Sequence, residues 1–308
     1  VTGDGPTVGG ALVEQADYVC FTGSTETGRK VAQQVGERLV NASLELGGKN
    51  PMIVRADADL QRFLDIALSS CFTSSGQLCV STERIYIDRS IYDTFKNAFV
   101  SRVKEITLGS HLGWGYDMGS ITTKEHLERI QDAVRQAKSE GAIVECGGRT
   151  RPDIGPLVYE PTVLTHVTPT MEIARKEVFG PVVYLAPFDS DDDAIQMCNQ
   201  GGYGLSASII SGDTKAAMDI AAEINCGSVN INEGFAATFG SVAAPMGGMG
   251  QSGSGRRQGP EGILRFTEAQ TVAVQKGAPV SRKFGDDDKK WGNRMTLKVK
   301  VLRGSRLR

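Results

Sequence analysis

The chain has 308 residues, of which 40% are hydrophobic and 23% are charged, with 34 Lys and Arg against 36 Asp and Glu. Such a chain can bury a core without disulfide or metal staples, and its 6 cysteines and 3 histidines lack the spacing of a disulfide framework or a metal site. No apolar run approaches the roughly 18 residues of a membrane-spanning helix, so we predict no integral membrane segment and a cytoplasmic location.

Charge is distributed unevenly along the chain. Residues 276–308 contain 11 Lys and Arg and 3 Asp, a net charge of +8, which leaves −10 on residues 1–275. The acidic body argues against a nucleic-acid partner. We expect the basic end to be a solvated or subunit-packing tail, and an arm that binds phosphate or a membrane surface is the alternative.

Helix and strand patterns alternate from the start of the chain. A helix over 8–14 precedes a strand over 17–21, a glycine-containing turn and a helix to residue 38. Further strands are predicted over 42–46, 52–54, 84–87, 142–144, 182–185, 206–210, 227–231 and 271–275. Helices are predicted over 59–70, 91–106, 123–140, 189–199 and 214–224. This alternation favours an α/β fold with parallel strand pairing.

Two residues are candidates for nucleophilic and acid–base chemistry. Cys79 follows Ser74-Ser75-Gly76-Gln77-Leu78, a polar loop that can expose a reactive thiolate, although a buried structural cysteine is the simpler interpretation. Glu45 interrupts an apolar strand, where burial would raise its pKa and suit it to act as a general base. The alternative is an edge-strand glutamate facing solvent. Lys49 either pairs with Glu45 or lies on the surface.

Two glycine-containing turns are candidates for cofactor binding. The turn Gly23-Ser24-Thr25 joins a strand to a helix and can present backbone N–H groups to a pyrophosphate. Glu177 and Phe179 precede Pro181 in a second turn, where they could bind ribose hydroxyls and a flat ring or serve only the turn and the core. The G-x-G-x-x-G match at 248–253 is interpreted as chance in a flexible loop, because no strand precedes it.

Five motifs occur in a consistent order along the chain. They are Phe21-Thr22-Gly23-Ser24, Glu45-Leu46-Gly47-Gly48-Lys49, Gly76-Gln77-Leu78-Cys79, Glu177-Val178-Phe179-Gly180-Pro181 and Asn230-Ile231-Asn232. Together they resemble the aldehyde dehydrogenase superfamily over residues 1–277. Within it, the segments 81–84, 232–237 and 244–250 are most similar to actinobacterial succinate-semialdehyde dehydrogenases.

The resemblance implies a fold, a mechanism and a set of site residues. The fold would be a partial Rossmann-type cofactor domain followed by an α/β catalytic domain with a parallel sheet. Cys79 would attack the aldehyde, and Glu45 would activate the water that hydrolyses the thioester. Glu177 would bind the nicotinamide-side ribose and Phe179 would line the nicotinamide site. Gly23 and Ser24 would lie at the pyrophosphate of the cofactor, NADP or NAD.

The resemblance also implies a division of the chain and leaves its activity open. Residues 1–46 would be the remainder of the dinucleotide-binding domain, 47–245 the catalytic domain, 246–277 a return segment with an oligomerisation strand, and 278–308 the basic tail. The family's amino-terminal part, with a second oxyanion donor, is expected to be missing. Two interpretations stay open. The chain belongs to an enzyme that acts on a small aldehyde and is homo-oligomeric in the intact parent, or it is a truncated, non-catalytic aldehyde dehydrogenase relic that oligomerises or binds a partner.

Overall fold

Helices and strands alternate through most of the chain in the computed structural model, which describes residues 1–276 and 281–304. Short helical turns lie at Gly5–Gly9, Thr73–Gly76 and Arg89–Ile91. The helices are α1 (Gly10–Gln15), α2 (Thr25–Glu37), α3 (Leu60–Phe72), α4 (Tyr92–Lys104), α5 (Lys124–Ser139), α6 (Glu172–Arg175), α7 (Asp191–Cys198), α8 (Thr214–Glu223), α9 (Ala236–Gly240), α10 (Gly259–Leu264) and α11 (Asp288–Gly304).

The strands form three sheets. They are β1 (Tyr18–Thr22), β2 (Asn41–Glu45), β3 (Asn50–Val54), β4 (Thr82–Asp88), β5 (Ile143–Cys146), β6 (Thr162–Thr165), β7 (Val182–Phe188), β8 (Tyr203–Gly204), β9 (Ser206–Ile210), β10 (Ser228–Ile231), β11 (Met249–Gly250) and β12 (Gly253–Ser254). The largest sheet has the order β10-β9-β3-β4-β7-β6-β5, and only β5 runs antiparallel to its neighbour. The predicted α/β architecture with parallel pairing is therefore confirmed.

Both faces of the seven-stranded sheet are covered, which explains why its central strands are apolar along their whole length. Met52 and Val54 of β3 join one buried cluster, whereas Ile53 between them joins the other. In β4, Ile85 and Ile87 lie on the first face and Tyr86 on the second. This alternation follows from the two-residue period of a strand.

A smaller sheet carries the candidate cofactor turn and one candidate catalytic residue. β1 and β2 pair in parallel, and β12 adds antiparallel to β2, so that Gly253 lies opposite Glu45. The segment with the G-x-G-x-x-G match is therefore not the flexible loop expected from the sequence, because it forms β11 and β12. Its glycines allow close approach of backbones: a Cβ on Gly253 would lie 1.8 Å from the carbonyl oxygen of Leu44.

We expect Gly253→Ala to lower the free energy of unfolding by about 2–3 kcal/mol, since alanine would meet both that backbone clash and a φ of +111°. Urea denaturation of the purified chain measures this loss. Gly36→Ala is the matched control, because a Cβ on Gly36 of α2 meets no atom within 4 Å. It should leave stability unchanged or raise it by about 0.5 kcal/mol. Equal effects of the two substitutions would contradict the packing role of Gly253.

The secondary-structure prediction missed one strand of the large sheet and placed a strand near the end of the chain where the structure has none. The strand β6 was not expected, although it pairs with β5 and β7 in the large sheet. Conversely, 271–275 forms no strand in the structure, and its side chains are exposed. An apolar alternation does not make a strand without a partner for its backbone groups. Pairing of this segment with a second copy stays a prediction, as does the homo-oligomer of the intact protein.

The end of the chain forms a separate unit. The chain divides into the units Val1–Thr267 and Glu268–Arg308, and the second contains helix α11, in which no residue is buried. Residues 277–280 and 305–308, which belong in part to the predicted basic tail, lie outside the described residues. The four-part functional division at 46, 245 and 277 stays a prediction. A search of the described residues for helices long and apolar enough to cross a membrane found none.

Candidate active site

Glu45 is buried at the carboxyl end of β2. Only 7% of the residue is exposed, so the interpretation as a solvent-facing edge glutamate is wrong. Its backbone carbonyl accepts a hydrogen bond from the N–H of Gly23 at 3.1 Å. Its Oε1 has no hydrogen-bond donor among the described residues, and the nearest cation is the Nε of Arg257 at 3.8 Å. Burial raises the pKa of Glu45, and the charges of Arg257, Arg265 and Arg256 act in the opposite direction.

The glycines after Glu45 bring the backbone beside Cys79. A Cβ on Gly48 would lie 2.8 Å from the carbonyl oxygen of Cys79, so no larger residue fits between the two segments. Asn50 then fixes the loop, since its amide nitrogen donates to the carbonyls of Cys79 and Ser81, each at 2.8 Å. Its amide oxygen accepts the N–H of Ser206 at 3.1 Å. The link from Glu45 to Cys79 is therefore rigid.

The backbone before Cys79 has an unusual conformation. Ser74, Ser75 and Gly76 have φ values of 53°, 57° and 68°, so three successive residues occupy the left-handed region. The side chain of Gln77 holds this turn by donating to the carbonyls of Ser74 and Ser120 and accepting the N–H of Thr122. Strained backbone of this kind persists where surrounding contacts determine it. The turn directs the chain into the half-buried position of Cys79.

The Cys79 thiol lies between an apolar cluster and two carboxyl groups. The cluster consists of Val80, Leu205 and Met246, with Leu78, Cys79 and Phe235 packed against it. Burial raises the pKa of Cys79, and the charges of Glu177 and Glu45 raise it further, whereas Arg257 and the N–H of Cys79 itself lower it. The structure thus brings Cys79, Glu45 and Glu177 together. A base is needed to form the thiolate in this environment.

Glu177 and Phe179 form the second wall of the site. The Oε1 of Glu177 accepts the N–H of Gly48 at 2.8 Å, and a Cβ on Gly47 would lie 1.9 Å from its Oε2. Burial raises the pKa of Glu177 to about 7, with Glu83 adding to the effect and Gly48 and Lys49 opposing it. Phe179 has a φ of 54° and is half-buried, and its carbonyl accepts from the Nε2 of His126 at 2.7 Å.

A buried ion pair between Lys49 and Glu83 holds the backbone next to Glu177. Lys49 does not pair with Glu45 and does not lie on the surface, because its Nζ lies 2.5 Å from the Oε2 of Glu83 and both side chains are 3% exposed. The Glu83 carboxylate also accepts the N–H groups of Val178 at 3.0 Å and Phe179 at 2.8 Å. Arg84 donates to four backbone carbonyls and the hydroxyl of Tyr86.

The first glycine turn begins helix α2. Ser24 is the N-cap of this helix, and its Oγ accepts the N–H of Thr27 at 3.3 Å. Gly23 bonds to Glu45, so the turn is tied to the end of β2. The N–H groups of the first helical turn have no intrahelical partners and are directed out of the helix start. The predicted cofactor turn and the predicted base therefore lie at the same edge of the small sheet.

Comparison with known proteins identifies the family. The model of the aldehyde dehydrogenase family matches residues 1–272. The chain belongs to the aldehyde dehydrogenase family. Over 302 residues it is 46% identical to a protein of Mycolicibacterium smegmatis named "Putative succinate-semialdehyde dehydrogenase", dependent on NADP(+), covering 98% of this chain and 58% of that protein. It is 40% identical to cytosolic aldehyde dehydrogenase 1 of Mus musculus, covering 89% of this chain and 55% of that protein.

Solved aldehyde dehydrogenases share this fold. The crystal structure of betaine aldehyde dehydrogenase from Staphylococcus aureus in complex with NAD+ superimposes with a TM-score of 0.81 at 36% identity, covering 89% of this chain and 57% of that chain. The chain therefore spans somewhat more than half the length of the curated relatives that it matches.

Several residues of the aldehyde dehydrogenase site were missed by the sequence analysis. Asn50 could have been suspected, since it is a polar residue in an otherwise apolar buried strand, whereas Glu83 lies between Thr82 and Arg84, which are also polar and buried. Arg257 carries no such signal, because it lies in a half-buried glycine-rich segment and meets Glu45 only through folding. The motif residues Asn230 and Asn232 have structural roles: Asn230 accepts the N–H and hydroxyl of Thr238, and Asn232 bonds to the backbone of Ser211. Among the described residues no group of three or more His, Cys, Asp or Glu could hold a metal ion.

Proposed function

We propose that this chain is the catalytic part of an NAD(P)-dependent aldehyde dehydrogenase that oxidises succinate semialdehyde to succinate. The observation that carries the proposal is that the half-buried thiol of Cys79 and the buried carboxyl group of Glu45 lie close enough for the charge of Glu45 to act on the thiol, with Gly48 packed against the Cys79 carbonyl. A nucleophile beside a base whose pKa is raised by burial is the arrangement that thiol catalysis needs.

In the proposed reaction, Glu45 accepts the proton of the Cys79 thiol and the thiolate sulfur bonds to the carbonyl carbon of the aldehyde. The Cys79 N–H donates to the oxyanion of the resulting thiohemiacetal. Loss of hydride converts this adduct into a thioester on Cys79. Glu45 then passes the thiol proton to solvent and, ionised again, takes a proton from water, whose oxygen attacks the thioester carbon. The Cys79 sulfur leaves as a thiolate and recovers a proton from Glu45, so the acid and the thiol are released.

The residues present fit a nicotinamide dinucleotide. A carboxylate with one oxygen held by Gly48, as in Glu177, is an acceptor for ribose hydroxyls, and Gly47 leaves no side chain over its other oxygen. The N-terminus of the 13-residue helix α2 suits a pyrophosphate, with Gly23 and Ser24 at its start. Phe179 would line the nicotinamide site. The bound NAD or NADP would supply the hydride acceptor.

Charge supports an acidic substrate over a cationic one. Three arginines act on Glu45, namely Arg256, Arg257 and Arg265, all from the glycine-rich segment and helix that follow it. Their positive field attracts the distal carboxylate of a semialdehyde acid and disfavours the quaternary ammonium group of betaine aldehyde. The apolar cluster beside Cys79 contains one aromatic side chain, Phe235, rather than the aromatic cage that such a cation prefers.

NAD(P)H formation tests the proposed function. We would measure it with the chain alone and with the chain joined to the part of the Mycolicibacterium relative that the match does not cover. Succinate semialdehyde should be oxidised with a higher kcat/KM than betaine aldehyde, with either NAD or NADP as acceptor. Absence of aldehyde-dependent NAD(P)H from both proteins would overturn the proposal, and a preference for betaine aldehyde would overturn its substrate.

We expect Glu45→Gln to lower steady-state turnover by about 10²- to 10⁴-fold, because glutamine cannot accept a proton from water. At a pH high enough for the Cys79 thiol to ionise without Glu45, the thioester should form and then persist, and mass spectrometry after mixing with aldehyde and cofactor should find the acyl group on the peptide that contains Cys79. Glu14→Gln, at an exposed position of α1, is the matched control and should retain full turnover. Equal turnover of the two variants would exclude Glu45 as the base.

A further inference from the structure

Arg257 is the cation nearest the Glu45 carboxylate. Its Nε lies 3.8 Å from the Glu45 Oε1, the oxygen that has no hydrogen-bond donor among the described residues. Its backbone is fixed on both sides, because its N–H donates to the carbonyl of Met246 and its carbonyl accepts the N–H of Met246. Met246 belongs to the apolar cluster at Cys79. The backbone of Arg257 is therefore anchored to the site, while its side chain, 42% exposed, can still move.

The two neighbouring arginines, Arg256 and Arg265, donate hydrogen bonds to groups other than Glu45. The guanidinium of Arg256 donates to the carbonyls of Gly248 and Gly255 at 3.1 and 2.7 Å. That of Arg265 donates to the Oγ of Ser43 at 2.9 Å and to the carbonyl of Arg256 at 3.2 Å. Within the described part of the chain, the side chain of Arg257 has its closest polar contact with Glu45. Of the three arginines, it is the one placed to follow the carboxylate during a reaction.

We propose that Arg257 is a positioning residue whose guanidinium orients the Glu45 carboxylate and keeps it charged beside Cys79. This inference rests on the proposed function, since it concerns the same base and nucleophile. Arg257 touches neither substrate nor cofactor in this role. It acts through Glu45, which must be ionised to accept a proton from the thiol or from water.

The charges around the pair agree with this role. Glu45 is faced by Arg256, Arg257 and Arg265, and Cys79 is faced by Glu45, Glu177 and Arg257. Arg257 is the one group common to both sets, and it lowers the pKa of each partner against the effect of burial. Without it, the carboxyl and the thiol would both hold their protons to higher pH, so the pair would become reactive only in more alkaline solution.

Alkylation of Cys79 tests the inference without any turnover. The 308-residue chain would be treated with iodoacetamide between pH 5 and pH 10, and the labelling rate at each cysteine read by peptide mass spectrometry. In Arg257→Gln, the midpoint for Cys79 should move to higher pH by about one unit, which is about a 10-fold slower reaction below the midpoint. Arg257→Lys keeps the charge and should restore most of the rate. Cys20, an exposed thiol in the same sample, is the internal reference.

The matched control is Arg135→Gln, which removes an arginine whose side chain is 74% exposed on α5 and should leave the Cys79 profile unchanged. Turnover should be measured against pH in the protein that forms NAD(P)H. Its rise on the acid side should move to higher pH, as the alkylation midpoint does. Unchanged profiles in Arg257→Gln, or a raised KM for succinate semialdehyde with both profiles unchanged, would overturn the inference while leaving Cys79 and Glu45 in place. Failure of the proposed function would give a different result, namely a rate of NAD(P)H formation that does not depend on Cys79.

Discussion

Replacing Cys79 with serine should lower aldehyde oxidation by about 10⁴-fold or more, the largest functional effect that we expect for this protein. The thiol is the only group at the centre of the site that can form the proposed thioester, and a serine hydroxyl next to Glu45 would be far harder to ionise. The measurement is the rate of NAD(P)H formation with succinate semialdehyde. The Ser variant should keep the folded structure, because it changes one atom of a half-buried side chain.

A second cysteine provides the comparison for this result. Cys20 is exposed on β1, and Cys20→Ser should leave the rate unchanged. Cys71 and Cys198 are buried thiols, and burial raises the pKa of Cys198 to about 12, which suits structural rather than reactive cysteines. A Cys79→Ser protein that retained a tenth of the original activity would exclude the thioester mechanism at Cys79 and favour direct hydride loss from an aldehyde that is bound without a covalent bond.

Replacing Glu83 with leucine should lower the free energy of unfolding by about 3–5 kcal/mol. The substitution leaves the charged Lys49 buried without its partner and removes the acceptor of the Val178 and Phe179 N–H groups. Folded domains are stabilised by only about 5–15 kcal/mol, so the loss is a large share of the total. Urea denaturation of the purified chain, followed by far-ultraviolet circular dichroism, measures it.

An exposed ion pair is the control for the buried one. Glu26 and Lys30 are paired on the surface of α2, and Glu26→Leu should change stability by less than about 0.5 kcal/mol. The double substitution Lys49→Met with Glu83→Leu removes both buried charges and should be more stable than Glu83→Leu alone. Equal losses in the free energy of unfolding from Glu83→Leu and Glu26→Leu would contradict this prediction. So would a double variant that is no more stable than Glu83→Leu, because the unpaired charge of Lys49 would then not be the cause of the loss.

Most of the large sheet was predictable, because its strands and helices carry strong local patterns. The predicted strand over 206–210 has the same bounds as β9, and the helix predicted to begin at residue 214 begins there as α8. Asp59, Ser24 and Asp213 cap their helices through their own side-chain oxygens, which is a local signal. The strand β6 was missed although Thr162, Val163 and Thr165 favour a strand, because it has four residues and its place is set by pairing with β5 and β7.

The candidate site was predictable as a set of residues and not as an arrangement. Cys79, Glu45, Glu177 and Phe179 follow from the motifs and lie together in the structure, and their catalytic and binding roles stay proposals. The surroundings that set their chemistry come from elsewhere: Asn50 fixes the Cys79 carbonyl, and Glu83 holds the turn of Glu177 and Phe179. The sequence analysis placed Lys49 near Glu45 or on the surface because its neighbours along the chain suggested nothing else.

The sequence by itself determined the family, the order of most strands and helices of the large sheet, and the identity of the candidate nucleophile and base, because motifs and hydrophobic periods are local properties of the chain. Only the tertiary structure decided which charges meet. Arg257 reaches Glu45 because β12 pairs with β2, and Glu83 reaches Lys49 because β3 and β4 are neighbours in the large sheet. Pairing between distant strands depends on how whole faces of helices and sheets pack. Electrostatic effects vary with distance and burial, so the ionisation of Glu45 and Cys79 is a property of that packing rather than of their motifs.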